Sequence, residues 1–138
     1  MTNYMQVFDK SYERIKQGRQ DEKTFYLRFY NVFTAASQEV ADKFAGADLD
    51  KQAMLLRNSF RHMLSFFLNK GSSDYLDELA ERHSTRGVDI APHLYDIWLD
   101  SLMEVVAEFD PEYSDEVELA WRVVLSPGVA FMKFKHNH

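Results

Sequence analysis

The chain has 138 residues, no cysteine and a net charge of −6 at neutral pH. The missing cysteine excludes disulfides, thiolate metal sites and a cysteine nucleophile, and an acidic chain without a basic stripe disfavours nucleic acid as a partner. No apolar run is long enough to span a bilayer, and the first residues do not resemble a signal peptide. We therefore expect a soluble cytoplasmic protein of one domain, residues 1–138, with no membrane partner and a polar tail at 133–138.

Aromatic residues make up 14% of the chain and include eleven phenylalanines, while apolar residues reach 46%. A small helical protein needs fewer aromatic side chains than this to fill its core. The surplus indicates that part of the core lines a pocket for a flat, apolar ligand.

Apolar residues recur with the helical spacing i, i+3, i+4, i+7 through almost every segment, and no strand alternation is convincing. Helix starts are predicted at Asn3, which with Gln6 forms a possible capping box, and at Asp21 and Asp48. A short helical segment over 37–44 comes before a long helix that runs to about residue 69. A loop at 70–73, a short helix ending at His83 and two longer helices, over about 92–109 and after the Asp-Pro pair at 110–111, complete the chain.

His83 is the first candidate for chemistry, because it closes the apolar face of a short predicted helix directly before a break at Arg86-Gly87. A buried imidazole is more often structural than a ligand. At a helix C-terminus, however, its Nδ1 could donate to the carbonyl of Leu79, which would fix the tautomer and leave Nε2 free to bind a metal.

The other titratable residues give weaker signals. His62 is expected at a boundary position, His93 exposed in the first turn of its helix, and His136 and His138 in the tail. No HExxH, calcium-loop or glycine-rich phosphate motif is present. Several acidic residues are interpreted as solvated faces or helix N-terminal acids: Asp77, Glu78, Glu81, Asp110, Glu112, Asp115 and Glu116.

Four segments together resemble the globin family, specifically bacterial single-domain haemoglobins, and are similar to the haem domain of flavohaemoglobins and to the Vitreoscilla-type haemoglobins. They are FYNVFTAASQEVADKF, LAERH, PHLYDIW and ELAWRVVLSPGVAFM. The first ends on Phe44, at the place of the phenylalanine that packs against the haem, and includes Tyr30 where many bacterial globins carry a tyrosine that reaches the bound gas. The second places His83 at the proximal iron ligand.

The resemblance implies an all-α globin fold, a three-on-three helical sandwich with a short or absent D helix. It also implies haem b held between the helix over 48–69 and the helix ending at His83. Besides Phe44, residues implied to contact the haem are Leu79, Arg86 at a propionate, Val88, Ile90, Tyr95 and Trp98. The implied distal pocket comprises Tyr30, Gln52, Leu55, Leu56 and Ser59, and either Gln52 or Leu55 lies nearest the iron.

The implied function is reversible binding of O₂, and of CO and NO, at ferrous iron, in oxygen transport or in NO dioxygenase-type detoxification. Tyr95 matches the tyrosine that flavohaemoglobins pair with the proximal histidine, but their glutamate has no counterpart near the C-terminus. No segment resembles their flavin and nicotinamide domain, so we expect turnover to need an external reductase. Alternatives are a haem-based gas or redox sensor and a haem-free helical binding module, and either a monomer or a homodimer fits the sequence.

Overall fold

Seven α-helices make up the described part of the protein, a computed structural model that covers residues 3–18, 20–69 and 74–138. They are α1 (Tyr4–Lys16), α2 (Glu22–Ala36), α3 (Gln38–Lys43), α4 (Leu49–Leu68), α5 (Asp74–His83), α6 (His93–Phe109) and α7 (Asp115–Lys135). No strand occurs in these residues, which confirms the predicted all-α class. The loop predicted at 70–73 lies outside the described residues.

Side-chain caps fix several of the helix starts, as the sequence predicted. The side chain of Asn3 accepts a hydrogen bond from the backbone N–H of Gln6, Asp21 accepts from Thr24, and Asp48 accepts from the N–H groups of the next turn. Each cap satisfies backbone donors that have no partner within the helix. At the other end of the chain, α7 continues to Lys135, well into the predicted polar tail.

The helices pack as the predicted three-on-three sandwich. Helix α7 contacts α1, α4, α5 and α6, while α2 packs against α6, α4 and α3. Trp121 of α7 is fully buried where the layers meet. Between α3 and α4 the residues at 44–48 form a turn without a helix of their own, which agrees with an absent D helix. None of the described helices is long and apolar enough to cross a membrane.

Asp110, directly after α6, is a buried structural residue, so its interpretation as a solvated acid was wrong. Its side chain has no exposure. It accepts hydrogen bonds from Ser11 Oγ at 2.6 Å and from Arg14 Nε at 2.6 Å and Nη2 at 2.8 Å. Trp121 Nε1 in turn donates to Ser11 Oγ at 2.9 Å. Because a buried charge is costly unless it is paired and hydrogen-bonded, this network determines how α1 meets α6 and α7.

Candidate functional site

A cavity of about 410 Å³ is lined by residues of α2 to α7 and of the connection between α5 and α6. This volume lies in the range of about 300–1,000 Å³ that is usual for small-molecule sites. The cavity brings together these residues of the predicted site: Tyr30, Phe44, Gln52, Leu55, Leu56, Ser59, Leu79, His83, Val88, Ile90, Tyr95 and Trp98.

His83, the last residue of α5, lies in the wall of this cavity. Burial, with a smaller contribution from the positive charge of Arg82, lowers the pKa of His83 to about 4. The imidazole is therefore neutral at neutral pH, which is the protonation state that binds a metal. Its Nδ1 lies 3.3 Å from the hydroxyl of Tyr95. The structure thus gives Nδ1 a partner on α6, where helix geometry alone predicted the carbonyl of Leu79.

The connection after His83 is held in one conformation by backbone hydrogen bonds. The carbonyl of His83 accepts from Ile90 N at 2.8 Å, and the carbonyl of Arg82 accepts from Val88 N at 2.8 Å. Gly87 passes so close to Arg82 that a Cβ at position 87 would lie 2.1 Å from the Arg82 carbonyl oxygen. The segment that bears Val88 and Ile90 is therefore fixed against the end of α5.

Two side chains from other helices hold the same connection. Lys43 Nζ donates to the carbonyls of Val88 at 2.8 Å and Asp89 at 3.2 Å. His136, beyond α7, lies with Nε2 2.7 Å from Asp89 Oδ1. Asp89 has a φ of 55°, in the left-handed region that non-glycine residues seldom adopt. These contacts offset that backbone cost.

Tyr30 of α2 brings a buried hydroxyl to the opposite side of the cavity. It donates to the backbone carbonyl of Gln52 at 3.1 Å. Burial raises the pKa of Tyr30 well above its ordinary value, so the hydroxyl keeps its proton at neutral pH. Leu55 and Ser59 follow Gln52 along α4, and Ser59 Oγ donates to the carbonyl of Leu55 at 2.9 Å. The phenol of Tyr30 is thus a hydrogen-bond donor at the cavity wall.

Phe44 follows α3 and is half-buried at the cavity wall. Its ring centroid lies 5.3 Å from that of Tyr30 and 6.0 Å from that of Phe33. Both separations are typical of attractive ring pairs. The position of Phe44 is therefore set by α2 on one side, while it borders the cavity on the other.

Arg86 is the one predicted site residue that the structure does not bring to the cavity. Its Nε and Nη2 donate to the two carboxylate oxygens of Glu81, at 2.6 and 2.8 Å. The basic side chains in the cavity wall are instead Lys43 and Arg82. The local pattern could not distinguish Arg82 from Arg86, because the chain leaves the helix between them.

The remaining histidines do not line the cavity. The ring of His62 stacks on that of Tyr75 with centroids 3.9 Å apart. His93 is exposed, as predicted, and its Nε2 lies 2.8 Å from Glu39 Oε1. His83 is accordingly the histidine that lines the cavity.

Sequence reasoning missed ten further wall residues. They are Phe33, Val40, Lys43, Met63, Tyr75, Leu76, Arg82, Leu94, Val129 and Met132. The helical repeat held a signal for two of them, since Met63 lies one turn after Ser59 and Leu76 one turn before Leu79. The α7 residues carried no such signal, because only the tertiary packing brings that helix to the cavity.

Comparison with known proteins agrees with this geometry. A family model described as Globin matches residues 28–132. The chain is also similar to the crystal structure of PA3967 from Pseudomonas aeruginosa PAO1, a protein described as structurally highly homologous to a human hemoglobin. The two are 34% identical over 99% of this chain and 100% of that one, with a TM-score of 0.89. No curated protein matches the chain significantly. Since the family match spans most of the helices around the cavity, the chain belongs to the globin family.

Proposed function

We propose that the cavity binds haem b, with His83 as the axial ligand of the iron, and that the protein binds O₂ reversibly. The observation that carries this proposal is that the imidazole of His83 lies in the wall of a largely apolar cavity. The described residues form no cluster of three or more His, Cys, Asp or Glu that could hold a metal ion. A porphyrin supplies four ligands of its iron itself, so one histidine from the protein is enough to hold it.

The rim of the cavity also fits a planar apolar group. Leu55 is 40% exposed and Val88 57% exposed, and both line the cavity. A porphyrin edge against these side chains would remove apolar surface from water, which is favourable by about 25 cal/mol per Å². Lys43 and Arg82 are the cations in the wall, and we propose them as partners of the haem propionates in place of Arg86.

When bound, haem would supply an iron that binds O₂, CO or NO. The protein's contribution on the distal side is the hydroxyl of Tyr30, which keeps its proton and now donates to Gln52 O. A rotation of this O–H away from the carbonyl redirects the donor into the cavity. Gln52 and Leu55 both border this space, so α4 contributes one polar and one apolar side chain there.

On the proximal side, Tyr95 orients His83. The Tyr95 hydroxyl at 3.3 Å from Nδ1 fixes the rotation of the ring. A tyrosine partner is a weaker acceptor than a carboxylate, so it adds less electron density to the imidazole than an anionic partner would. This favours O₂ binding over oxidative chemistry as the main role. NO dioxygenase activity with an external reductase is a secondary role.

Haem titration tests the proposal directly. Haem added to the haem-free protein should give one equivalent of a complex with a Soret band, and the ferrous form should change its spectrum with O₂ and again with CO. A titration without a stoichiometric end point would refute the assignment of the cavity. A ferrous spectrum that does not respond to O₂ would refute the function while leaving haem binding in place.

A further inference from the structure

Helix α7 has a second uncharged face in addition to the one that packs into the core. Its buried residues, such as Trp121 and Leu125, lie on one side of the helix. On the opposite side, five uncharged residues follow one another at intervals of four, three, four and four positions, which places them in line along the helix. We call them the α7 stripe: Leu119, Val123, Ser126, Ala130 and Phe134. Because a helix that is largely apolar on two sides has two surfaces to bury, the stripe indicates a second packing partner.

The α7 stripe is exposed and does not belong to the cavity. Leu119 and Phe134, at its two ends, are 47% and 59% exposed, and the two small residues at its centre are exposed as well. At about 1.5 Å per residue the stripe is roughly 22 Å long. The α7 residues that line the cavity are Val129 and Met132, which are both buried. A ligand in the cavity would therefore leave the stripe uncovered.

The α7 stripe is complementary in shape to a second copy of itself. In an antiparallel pair of α7 helices related by a two-fold axis next to Ser126, Leu119 of one copy faces Phe134 of the second copy. Val123 then faces Ala130 in the same way, twice. The small side chains near the axis let the two helix backbones approach closely, and the large ones fill the space where crossing helices diverge.

The charges at the ends of α7 favour the antiparallel arrangement over the parallel one. The first turn is acidic and the last turn is basic, with Asp115, Glu116, Glu118, Lys133 and Lys135. Glu118 pairs with Arg122 and Lys133 with Asp96, but among the described residues Asp115, Glu116 and Lys135 have no ion pair within the chain. An antiparallel pair brings the acidic end of each helix to the basic end of the other, whereas a parallel pair brings like charges together. Opposed helix dipoles add to this preference.

We propose that the α7 stripe is the contact between two copies of this chain in a symmetric, antiparallel dimer. Each copy contributes one helix face, which is smaller than the roughly 800 Å² per partner of a standard stable interface. The dimer is therefore reversible, with a dissociation constant in the micromolar range. Its formation does not depend on haem binding, because the stripe and the cavity have no residue in common.

Sedimentation equilibrium of the full chain, from micromolar to millimolar concentration, tests the dimer. The average mass should rise from 16.2 kDa towards twice that value. Ser126→Glu and, independently, Ala130→Glu place two carboxylates near the axis, so each should raise the dissociation constant more than about tenfold. Both positions are exposed, and circular dichroism checks that the fold is kept. Leu68→Glu is the matched control, since Leu68 is 52% exposed on α4 and should leave association unchanged.

Disulfide cross-linking tests the antiparallel register, because the chain has no cysteine of its own. Under oxidation, Ser126→Cys should form a covalent dimer. A mixture of Leu119→Cys and Phe134→Cys should form the mixed disulfide, while neither variant alone should cross-link. Two copies of either position would lie roughly 22 Å apart along the helix axis, and a disulfide needs Cα atoms within about 7 Å.

Four results would overturn the inference. One is a mass of 16.2 kDa at millimolar concentration. The second is a dimer that neither Ser126→Glu nor Ala130→Glu weakens. The third is a covalent dimer of Leu119→Cys alone, which would require parallel helices and does not depend on the glutamate variants. The fourth is a monomer that co-sediments with phosphatidylcholine vesicles, which would assign the stripe to a lipid surface.

Discussion

Two titratable groups at helix ends, Asp110 after α6 and His83 at the end of α5, have opposite surroundings. The carboxylate of Asp110 is enclosed by donors from Ser11, from Arg14 and from the backbone of Glu112. The imidazole of His83 has a single hydroxyl, that of Tyr95, at Nδ1 and otherwise faces an apolar cavity.

This difference shows that, within one helical bundle, Asp110 contributes to stability and His83 is available for ligand binding. At Asp110 the protein itself satisfies the polar group, so the contacts hold three helices together. At His83 the protein leaves room beside a neutral nitrogen that can bind a metal. Substitutions at one site should therefore change the free energy of unfolding with little effect on ligand binding, and substitutions at the other should do the reverse.

The largest effect is expected for His83→Ala, which removes the proposed axial ligand. The variant should be nearly colourless after haem addition, while its far-ultraviolet circular dichroism remains that of the original protein. His93→Ala is the control, since His93 is exposed and paired with Glu39. A normal ferrous-CO spectrum in His83→Ala, without added imidazole, would place the axial ligand elsewhere.

Asp110→Asn should lower the free energy of unfolding by about 3 kcal/mol, because removing one partner of a buried ion pair typically costs about 3–5 kcal/mol. We expect the low end of this range because the Arg14 side chain is 24% exposed, so water partly screens the ion pair. Haem affinity should change little. Asp96→Asn, which breaks the exposed pair with Lys133, should cost less than about 1 kcal/mol. Equal losses in urea unfolding of the two variants would contradict the structural role of Asp110.

Phe44→Ala should lower both the free energy of unfolding and the retention of haem. Truncating a fully buried phenylalanine typically costs about 3–5 kcal/mol, and because Phe44 is half-buried we expect about 2 kcal/mol. Haem should also transfer faster to a scavenger apoprotein, and the ferrous-O₂ form should autoxidise faster. Phe134→Ala, at a side chain that is 59% exposed, should change neither rate. Unchanged transfer rates in Phe44→Ala would mean that Phe44 packs only against protein.

Tyr30→Phe keeps the ring and removes the hydroxyl. A hydrogen bond to a charged or strongly polarised group contributes roughly 1.5–3 kcal/mol, which corresponds to roughly a ten- to hundredfold faster O₂ dissociation. CO dissociation, which depends less on a donor, serves as the internal control. If stopped-flow O₂ dissociation differs by less than a factor of about two, the Tyr30 hydroxyl only holds the Gln52 carbonyl, as it does in the structure.

The smallest effect is a pH dependence of stability at Asp110. Burial would raise the pKa of Asp110, but hydrogen bonds from Arg14, Ser11 and the Glu112 N–H outweigh it and lower the pKa below 3.8. A depressed folded-state pKa contributes stability that is complete above the unfolded-state value and is lost as the pH falls through the folded-state value. The stability difference between the original protein and Asp110→Asn should therefore shrink below about pH 4. A constant difference would contradict this linkage.

Local patterns were sufficient for the helices and for the position of His83 at the end of α5. Caps such as Asn3 and Asp21 act within one turn, so the sequence contains both partners. Asp110 could not be predicted in this way, because its partner Arg14 lies 96 residues away along the chain. The direction of the Arg86 side chain could not be predicted for a related reason: a helical pattern gives the direction of a side chain only while the helix continues, and Arg86 follows the end of α5.

The close approach of Gly87 to the Arg82 backbone limits which sequences this part of the chain can accept. Any side chain at position 87 would begin 2.1 Å from a carbonyl oxygen, so the backbone itself would have to move. A library that randomises positions 85–87 and is sorted by the colour of the haem-loaded protein should return glycine at 87 almost without exception. Arg86, whose side chain is 46% exposed, should vary freely in the same clones.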